Sequence, residues 1–231
     1  MDEANTPLPT WLDLYDYRLR VVEMYRERAT ALRAGEDGAA VCARFRAKKD
    51  ALFATHPQSV FTPEDRLKFD GLRYFPYNPD FRVEALLESV EDAEEFRYAT
   101  GDSQITPLRR AAKVTCTLAN SAVELAVFWI DVYGGGLFLP FRDLTCPDES
   151  YGGGRYLFDT IKGSDFIRIP GGALASDGTD VTGYAGGPII LDFNYAYNPS
   201  CAYDSRWVCP LAPRENWLHV PVRAGERKYH E

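Results

Sequence analysis

The sequence is poor in metal-binding residues and in long apolar runs. Its 231 residues include only three histidines, and no two of its five cysteines stand at CxxC spacing. A histidine-rich metal site is therefore not expected, and we predict no metal among the site residues. The most apolar stretch, residues 123–132, is interrupted by Glu124 and Asp131. It is much shorter than the roughly 20 apolar residues of a membrane-spanning helix, so no membrane association is expected.

Basic residues are also scarce relative to acidic ones. The 26 lysines and arginines face 34 aspartates and glutamates, which gives a formal net charge of −8. Nucleic acids and anionic membranes are bound by dense basic faces, so neither partner is expected. The first residues include Asp2 and Glu3 and lack the basic and apolar regions of a secretory signal. An odd number of widely spaced cysteines indicates reduced thiols, and together these features predict a cytoplasmic protein.

The hydropathy pattern changes once along the chain. Apolar residues at helical spacing predict one helix over 10–33, with Thr10 as its N-cap, and a second over 39–54. After Pro63, short apolar or alternating runs between turn residues predict about nine strands, with no long helix between them. We therefore expect a single domain over residues 1–231, with a helical part over 8–56 and a β-rich part over 63–231.

The strand pattern is typical of an antiparallel meander. The predicted strands cover residues 72–75, 82–88, 95–99, 113–118, 124–132, 137–141, 166–169, 189–193 and 218–222. The segment 170–188 is rich in Gly, Ser, Thr and Asp, which predicts a surface loop. We expect an α+β fold that is mostly β: an antiparallel barrel or strongly curved sheet with the two N-terminal helices packed on it.

Polar chemistry is concentrated in the last third of the sequence. Three glycines, Gly152–Gly154, precede Arg155, whose planar guanidinium suits a carboxylate or a phosphate. No GK[ST] follows, so this is not the phosphate loop of nucleotide-binding proteins. A later strand carries Asp192, and Asn194 and Asn198 share its face if the extended conformation persists. Such a row is costly to bury without partners, so it indicates either a satisfied structural network or a ligand site.

Two cysteines lie in this region, and three interpretations of them stay open. Cys201 is a candidate nucleophile, which requires a neighbour that lowers the pKa of its thiol. Cys201 and Cys209 are eight positions apart around a proline-containing hairpin, so they also fit a side-by-side thiol pair. A metal site completed by Asp192 or His219 is the third interpretation, although the cysteine spacing is not typical of metal sites.

Several motifs resemble those of a known family. In chain order they are RAKKDALF, FRDLT, YGGGRYL, LDFNYAYNPSCAY, CPLAPRENWL and VRAGERKY. Together they resemble an uncharacterised prokaryotic family catalogued as domain of unknown function 1684, over roughly residues 15–230. The resemblance implies no established reaction, so it supports the location of a site in these motifs and not its chemistry.

These observations predict a small-molecule pocket formed by the C-terminal motifs. Arg155 is expected to anchor a ligand, Asp192 to act as general acid or base, and Cys201 to supply a nucleophile. The predicted ligand-binding residues are Tyr151, Arg155, Asn194, Tyr197 and Asn198. We expect an enzyme that acts on a small polar or anionic metabolite, with its reaction class and cofactor unassigned. The alternatives are a noncatalytic small-molecule carrier with the same pocket, and motifs that only lock a network of turns.

Overall fold

The computed structural model describes residues 9–90, 95–100, 104–168 and 186–230, with the backbone alone at 95–100, 104 and 105. The chain divides into two compact units, Met1–Gly71 and Leu72–Glu231. The first unit is helical and the second contains the sheet. The part of the chain that the structure describes contains no helix with both the length and the apolar content to cross a membrane.

The helical unit begins at a well-formed cap. Its helices are α1 (Trp11–Arg33), α2 (Gly38–Thr55) and α3 (Pro63–Lys68). The Thr10 side chain accepts a hydrogen bond from the backbone N–H of Asp13, and the Asp13 carboxylate accepts one from the backbone of Thr10. This capping box satisfies donors that a helix start leaves unpaired. The two helices predicted from the sequence are confirmed, whereas the short α3, capped by Thr62, was not predicted.

The second unit is one antiparallel sheet. Its strands are β1 (Arg82–Ser89), β2 (Glu95–Thr100), β3 (Gln104–Leu118), β4 (Ser121–Ile130), β5 (Gly136–Phe141), β6 (Arg155–Asp159), β7 (Ile167–Arg168) and β8 (Gly186–Asp192). They pair in the order β6-β5-β4-β3-β1-β8-β7, and β2 pairs with β3. The prediction of a mostly β, curved antiparallel sheet, here a half-barrel, is therefore confirmed.

The core of this unit lies against the middle of the sheet. Ala85 of β1 lies opposite Cys116 of β3 and Ile189 of β8, which aligns the central strands. The fully or almost fully buried apolar side chains of the sheet include Leu87, Val114, Leu125, Val127, Leu139, Ile189 and Leu191. The rings of Phe141 and Phe193 pack edge to face at 5.3 Å. This packing holds the end of β8 beside β5.

Two predicted strands are absent from the sheet over the described residues. Residues 72–75 contribute only an isolated bridge from Tyr74 to Glu226, and 218–222 form no ladder within the described chain. Gly186, Gly187 and Pro188 belong to β8 rather than to the predicted loop over 170–188, and the remainder of that loop lies outside the described residues. Strand β6 was not predicted. The extended conformation also ends at Asp192, because Phe193–Tyr195 form a 3₁₀ turn.

Candidate functional site

Arg155 is the first residue of β6, and its side chain is completely buried. Its terminal nitrogens donate to Asp143 Oδ1 at 3.0 Å, to the carbonyl oxygen of Val222 at 2.8 Å and to that of Glu226 at 3.1 Å, and also to the carbonyl oxygen of Ala224. One guanidinium thus holds the segment 222–226 against β6. These nitrogens are occupied by internal acceptors, so the expected role of Arg155 as a ligand anchor does not fit its position.

Asp143 completes this buried network from the opposite side. Its Oδ2 accepts from the backbone N–H of Val222 at 2.6 Å and from the Thr145 hydroxyl at 2.9 Å, and Thr145 in turn contacts Ser150 at 2.7 Å. Both members of the Asp143–Arg155 ion pair are inaccessible to solvent. A buried ion pair needs such additional hydrogen bonds to offset its desolvation. The FRDLT motif and the arginine of YGGGRYL therefore serve the same structural network.

A second buried network surrounds Glu226. Its Oε2 accepts from the backbone N–H of Asn198 at 2.8 Å and from the Tyr203 hydroxyl, while the Asn198 amide donates to the carbonyl oxygen of Arg227 at 2.8 Å. Burial, and then the Glu226 carboxylate, raise the pKa of Tyr203 well above its ordinary value, so the phenol remains a donor. Gly225 has φ +75°, and a Cβ there would lie 2.4 Å from the carbonyl oxygen of Ala196. This close approach explains the glycine of VRAGERKY.

Asp192 and Asn194 form a third network at the end of β8. Asp192 Oδ1 accepts from the backbone N–H of Asn194 at 3.1 Å and from its amide at 2.9 Å. The Asn194 side chain also exchanges two hydrogen bonds with the backbone of Asn78, at 2.8 and 2.9 Å. Because the chain turns here, the expected extended row from Asp192 to Asn198 does not form. Asp192 caps the turn and lies 3.7 Å from Arg82 Nε, an internal position for the expected acid or base.

Cys201 and Cys209 are the two cysteines of the C-terminal motifs. Cys201 belongs to the 3₁₀ turn Ser200–Ala202, after which the chain reverses between Asp204 and Trp207. The backbone N–H of Trp207 donates to the carbonyl oxygen of Asp204 at 3.2 Å. The neighbouring Cys201 thiol and the backbone N–H groups of Cys201 and Ser200 act on the pKa of Cys209. The side-by-side thiol pair stays a prediction.

The pKa values of Cys201 and Cys209 are shifted in opposite directions. The Cys201 thiol, the backbone N–H groups and the charge of Lys162 lower the pKa of Cys209 to about 6, although burial opposes them. Donation to Cys209, and then burial, raise the pKa of Cys201 above its ordinary value. Of the two cysteines, Cys209 thus has the lowered pKa, and Cys201, the predicted nucleophile, has the raised one.

Two tyrosines frame this pair. The Tyr151 hydroxyl lies 3.6 Å from Cys201 Sγ, so the structure brings these two predicted residues together. Burial, and then the contact with Cys201, raise the pKa of Tyr151 to about 12. The Tyr156 hydroxyl donates to the carbonyl oxygen of Pro210, next to Cys209. Burial and then the sulfur of Cys209 raise the pKa of Tyr156 well above its ordinary value, which keeps this phenol a donor too.

The three glycines of YGGGRYL fit this cysteine segment rather than a phosphate. A Cβ at Gly153 would lie 2.6 Å from the Tyr151 ring and 2.8 Å from Leu211 Cδ2. At Gly154, where φ is +88°, a Cβ would lie 2.4 Å from the carbonyl oxygen of Phe141. The absence of side chains thus lets the segment after Cys209 pack directly on the turn that carries Tyr151.

Lys162 supplies the cation of this region. Its Nζ lies 3.3 Å from Asp159 Oδ2 and 5.9 Å from the centre of the Tyr156 ring, and about half of its side chain is exposed. Nothing in the sequence singled it out, because the 3₁₀ turn Thr160–Lys162 places it. Tyr197, another predicted ligand-binding residue, hydrogen bonds through its hydroxyl to Ser164 at 2.9 Å. We define the dithiol site by five residues: Tyr151, Tyr156, Lys162, Cys201 and Cys209.

The predicted site residues are therefore only partly brought together. Arg155, Asp192 and Cys201 contact different side chains: Asp143 for Arg155, Asn194 for Asp192 and Tyr151 for Cys201. Within the same residues, no group of three or more His, Cys, Asp or Glu side chains is arranged to hold a metal ion. Cys201, Cys209 and Tyr151 are partly exposed, whereas Arg155, Asn194 and Asn198 are buried.

Comparisons with known proteins agree with the motifs and add no reaction. A family model described as "Protein of unknown function (DUF1684)" matches residues 67–227. An uncharacterized protein of Haloarcula marismortui, whose solution NMR structure is known, is 36% identical and superposes with a TM-score of 0.54. The match covers 80% of this chain and 91% of that chain. No curated protein matches the chain.

Proposed function

Since the chain belongs to the DUF1684 family, whose function is unknown, we propose from its dithiol site that it is an enzyme acting on a small polar or anionic metabolite. Cys209 is the proposed nucleophile, and Cys201 is the neighbouring thiol that lowers its pKa. The proposal is carried by the lowered pKa of the partly exposed Cys209, which is caused first by Cys201 and further by backbone N–H groups and the charge of Lys162.

A sulfur in this environment is suited to covalent catalysis. The thiolate rather than the thiol is the nucleophile, and neighbouring donors and cations increase the thiolate fraction near neutral pH. Cys209 is partly exposed, so a small molecule can approach it. Cys116 offers the opposite case, because burial raises the pKa of its thiol to about 11. The two cysteines thus form a matched pair for experiments on reactivity.

The charge of the region favours an anionic substrate group. Lys162 acts electrostatically on Cys209 and keeps about half of its side chain in contact with solvent. The Tyr151 hydroxyl is a neutral donor beside the same sulfurs. We assign substrate orientation to these two side chains. Arg155, Asp192, Asn194 and Asn198 are left out of the proposed site because internal groups occupy the hydrogen-bonding positions described above.

We also propose that the protein works in the cytoplasm on a small-molecule ligand. All five cysteines are present as thiols, which suits the reducing cytoplasm. A net charge of −8 supports a small-molecule ligand over a nucleic acid.

The direct test uses p-nitrophenyl acetate as an activated acyl donor. We expect release of p-nitrophenolate beyond one equivalent per chain, because a nucleophilic enzyme regenerates its thiolate after each acyl transfer. The Cys209→Ser variant is expected to lose this turnover, and Cys116→Ser is expected to retain it. Circular dichroism of both variants checks that they are folded.

The possible results separate the functions that the sequence left open. Turnover that is independent of Cys209 would overturn the proposal. Acylation of Cys209 that stops at one equivalent would also overturn it and would favour the noncatalytic carrier. Turnover that is lost only in Cys209→Ser supports the proposal.

A further inference from the structure

We infer that Arg142 binds the carboxylate or phosphate group of a small molecule, beside the turn that carries Tyr151. Anion binding at this position depends only on the geometry around the Arg142 guanidinium. The assignment of the anion to the substrate rests on the function proposed above. Arg142 thus takes the role that the sequence suggested for Arg155.

The backbone of Arg142 is fixed on both sides. Its N–H donates to the carbonyl oxygen of Asn216 at 3.0 Å, and its carbonyl oxygen accepts from the N–H of Leu218 at 2.7 Å. Arg142 and Trp217 thereby form a parallel bridge directly after the end of β5. The arginine side chain therefore starts from a defined position.

Two further contacts hold the side chain itself. The Arg142 Nε donates to the carbonyl oxygen of Gly152 at 3.0 Å, and the guanidinium carbon lies 4.6 Å from the centre of the Trp217 ring. The indole is fixed in turn, because its N–H donates to the carbonyl oxygen of Ala212 at 3.0 Å. A guanidinium that is already ordered loses little further freedom when it binds a ligand.

The terminal nitrogens of Arg142 remain available for a ligand. Over the residues that the structure describes, no acceptor contacts these two nitrogens and no carboxylate forms an ion pair with Arg142. The side chain is only partly buried, so a small molecule can reach it. The terminal N–H groups of a guanidinium match the paired oxygens of a carboxylate or a phosphate. Arg155 offers the opposite case, because internal acceptors occupy its terminal nitrogens.

The charge around Trp217 also favours an anion. The guanidinium carbon of Arg214 lies 5.9 Å from the centre of the same indole ring, and Arg214 is exposed and forms no ion pair within the described chain. Glu215, the acidic residue next to it, is bound by Arg110. Two arginine charges therefore lie beside one indole without a carboxylate of their own. This local excess of positive charge contrasts with the net charge of −8.

One turn connects this position with the dithiol site. Gly152 accepts from Arg142, and the hydroxyl of the preceding residue, Tyr151, lies 3.6 Å from Cys201 Sγ. Consecutive Cα atoms are about 3.8 Å apart, so the two contacts arise from adjacent points of the chain. The N–H of Gly154 donates to the carbonyl oxygen of Tyr151 at 3.0 Å and closes the turn. We therefore assign to Arg142 the anionic group of the substrate.

The test is a nuclear magnetic resonance titration of the isotope-labelled, unmodified protein. The Nε–H signal of Arg142, assigned through its bonds to the backbone, reports on the guanidinium, and the indole N–H signal reports on Trp217. Sodium acetate and sodium phosphate are the two probes, and sodium chloride at equal ionic strength is the control. We expect saturable shifts of both signals with a probe and none with chloride.

The two probes separate the sources of the anion. Saturation by acetate alone supports the inference and identifies a carboxylate, and saturation by phosphate alone supports it and identifies a phosphate. Saturation by both supports the shared chemistry, and the tighter probe names the preferred group. No saturable shift with either probe, or the same shift with chloride, would overturn the inference.

A conservative variant tests the need for a guanidinium. Arg142→Lys keeps the charge and loses the paired donors, so binding of the probe, followed at the Trp217 indole, should weaken by about tenfold. Arg223→Lys is the matched control, because Glu149 already occupies Arg223, and it should leave the affinity unchanged. Equal affinities in Arg142→Lys and the unmodified protein would contradict the assignment. The titration of the unmodified protein decides the inference even where Arg142→Lys is unstable.

A second ester distinguishes failure of this site from failure of the proposed enzyme. Mono-p-nitrophenyl glutarate carries a carboxylate that p-nitrophenyl acetate lacks. If Cys209-dependent turnover shows a lower KM for the glutarate ester, and Arg142→Lys removes that advantage with little change in kcat, both proposals stand. If Arg142 binds a probe and neither ester gives Cys209-dependent turnover, the anion site stands and the enzyme fails. If turnover depends on Cys209 and no probe binds, the enzyme stands and the anion site is wrong.

Discussion

The Arg155 network and the dithiol site are built from the same C-terminal motifs, yet they treat their polar groups in opposite ways. Arg155 and Asp143 are completely buried, and each binds several internal partners. At the dithiol site, neighbouring groups lower the pKa of one sulfur, Cys209, that remains partly exposed. A charged side chain in a distinctive motif thus does not by itself identify a reactive group. A reactive group is identified by its hydrogen-bonding partners together with its exposure to solvent.

The largest expected effect is on the stability of the buried network. Arg155→Met leaves Asp143 as a buried charge without its cation and leaves carbonyl groups of the segment 222–226 without donors. Breaking a buried ion pair from one side costs about 3–5 kcal/mol, so urea unfolding should show a loss of that size. Arg223→Met is the matched control, because Arg223 donates three hydrogen bonds to Glu149 at the surface. An equal loss of stability in both variants would remove the distinction between the two regions.

Two tyrosine-to-phenylalanine substitutions compare the stability contributed by a hydroxyl in each region. Tyr203→Phe removes the donor to the buried Glu226 carboxylate and should cost about 1.5–3 kcal/mol of unfolding free energy, the range for a hydrogen bond to a charged group. Tyr151→Phe removes a hydroxyl that contacts only the partly exposed Cys201 sulfur in the dithiol site. We expect a clearly smaller loss for Tyr151→Phe in the same urea titration. The reverse ranking would contradict the assignment of Tyr203 to the fold.

The next effect in size is on the rate at which Cys209 is alkylated. Cys201→Ala removes the first donor that lowers the pKa of Cys209, so this pKa should move upward towards the ordinary value of about 8.5 for a free cysteine. Slightly above pH 6, alkylation of Cys209 by iodoacetamide should then slow by roughly tenfold, the effect of about one pKa unit. Peptide mass spectrometry measures this rate at the single residue. An unchanged rate would mean that Cys201 does not control its neighbour.

The smallest effect concerns the charge of Lys162. The dithiol site should favour iodoacetate over neutral iodoacetamide, and Lys162→Gln should lower that preference by about two- to fivefold, since about half of the lysine side chain is exposed and its charge is screened by solvent. Added salt should weaken the preference in the parent protein in the same direction. Lys113→Gln removes a lysine of β3 that contacts Glu88 and Glu124, and it is expected to have no effect. A response equal to that of Lys162→Gln would indicate a nonspecific field.

Local signals predicted much of the fold. The Thr10 cap and the helical spacing located α1 and α2, and turn residues separated most strands correctly. Strand β6 was not predicted, because all five of its side chains are buried, including those of its charged end residues Arg155 and Asp159. Such a strand has no alternating pattern, and its arginine suggested a ligand rather than a buried network.

The site was harder to predict for the same physical reason. Whether a polar group is satisfied internally depends on residues far apart in the chain, such as Asp143 and Val222 around Arg155. The sequence suggested a link between Cys201 and Cys209 because their separation is short. The lowered pKa of Cys209 could not be predicted, because it depends on neighbouring backbone N–H groups and on Lys162.

The most direct test of this account is the pH dependence of iodoacetamide alkylation at Cys209 in the unmodified protein, measured on the peptide 207–214. Iodoacetamide reacts with the thiolate, so the rate falls as the pH decreases through the pKa of the sulfur. We expect the alkylation rate of Cys209 to be half-maximal near pH 6, while Cys116 remains almost unreactive. A half-maximal rate at Cys209 near pH 8.5, the behaviour of an ordinary cysteine, would contradict it.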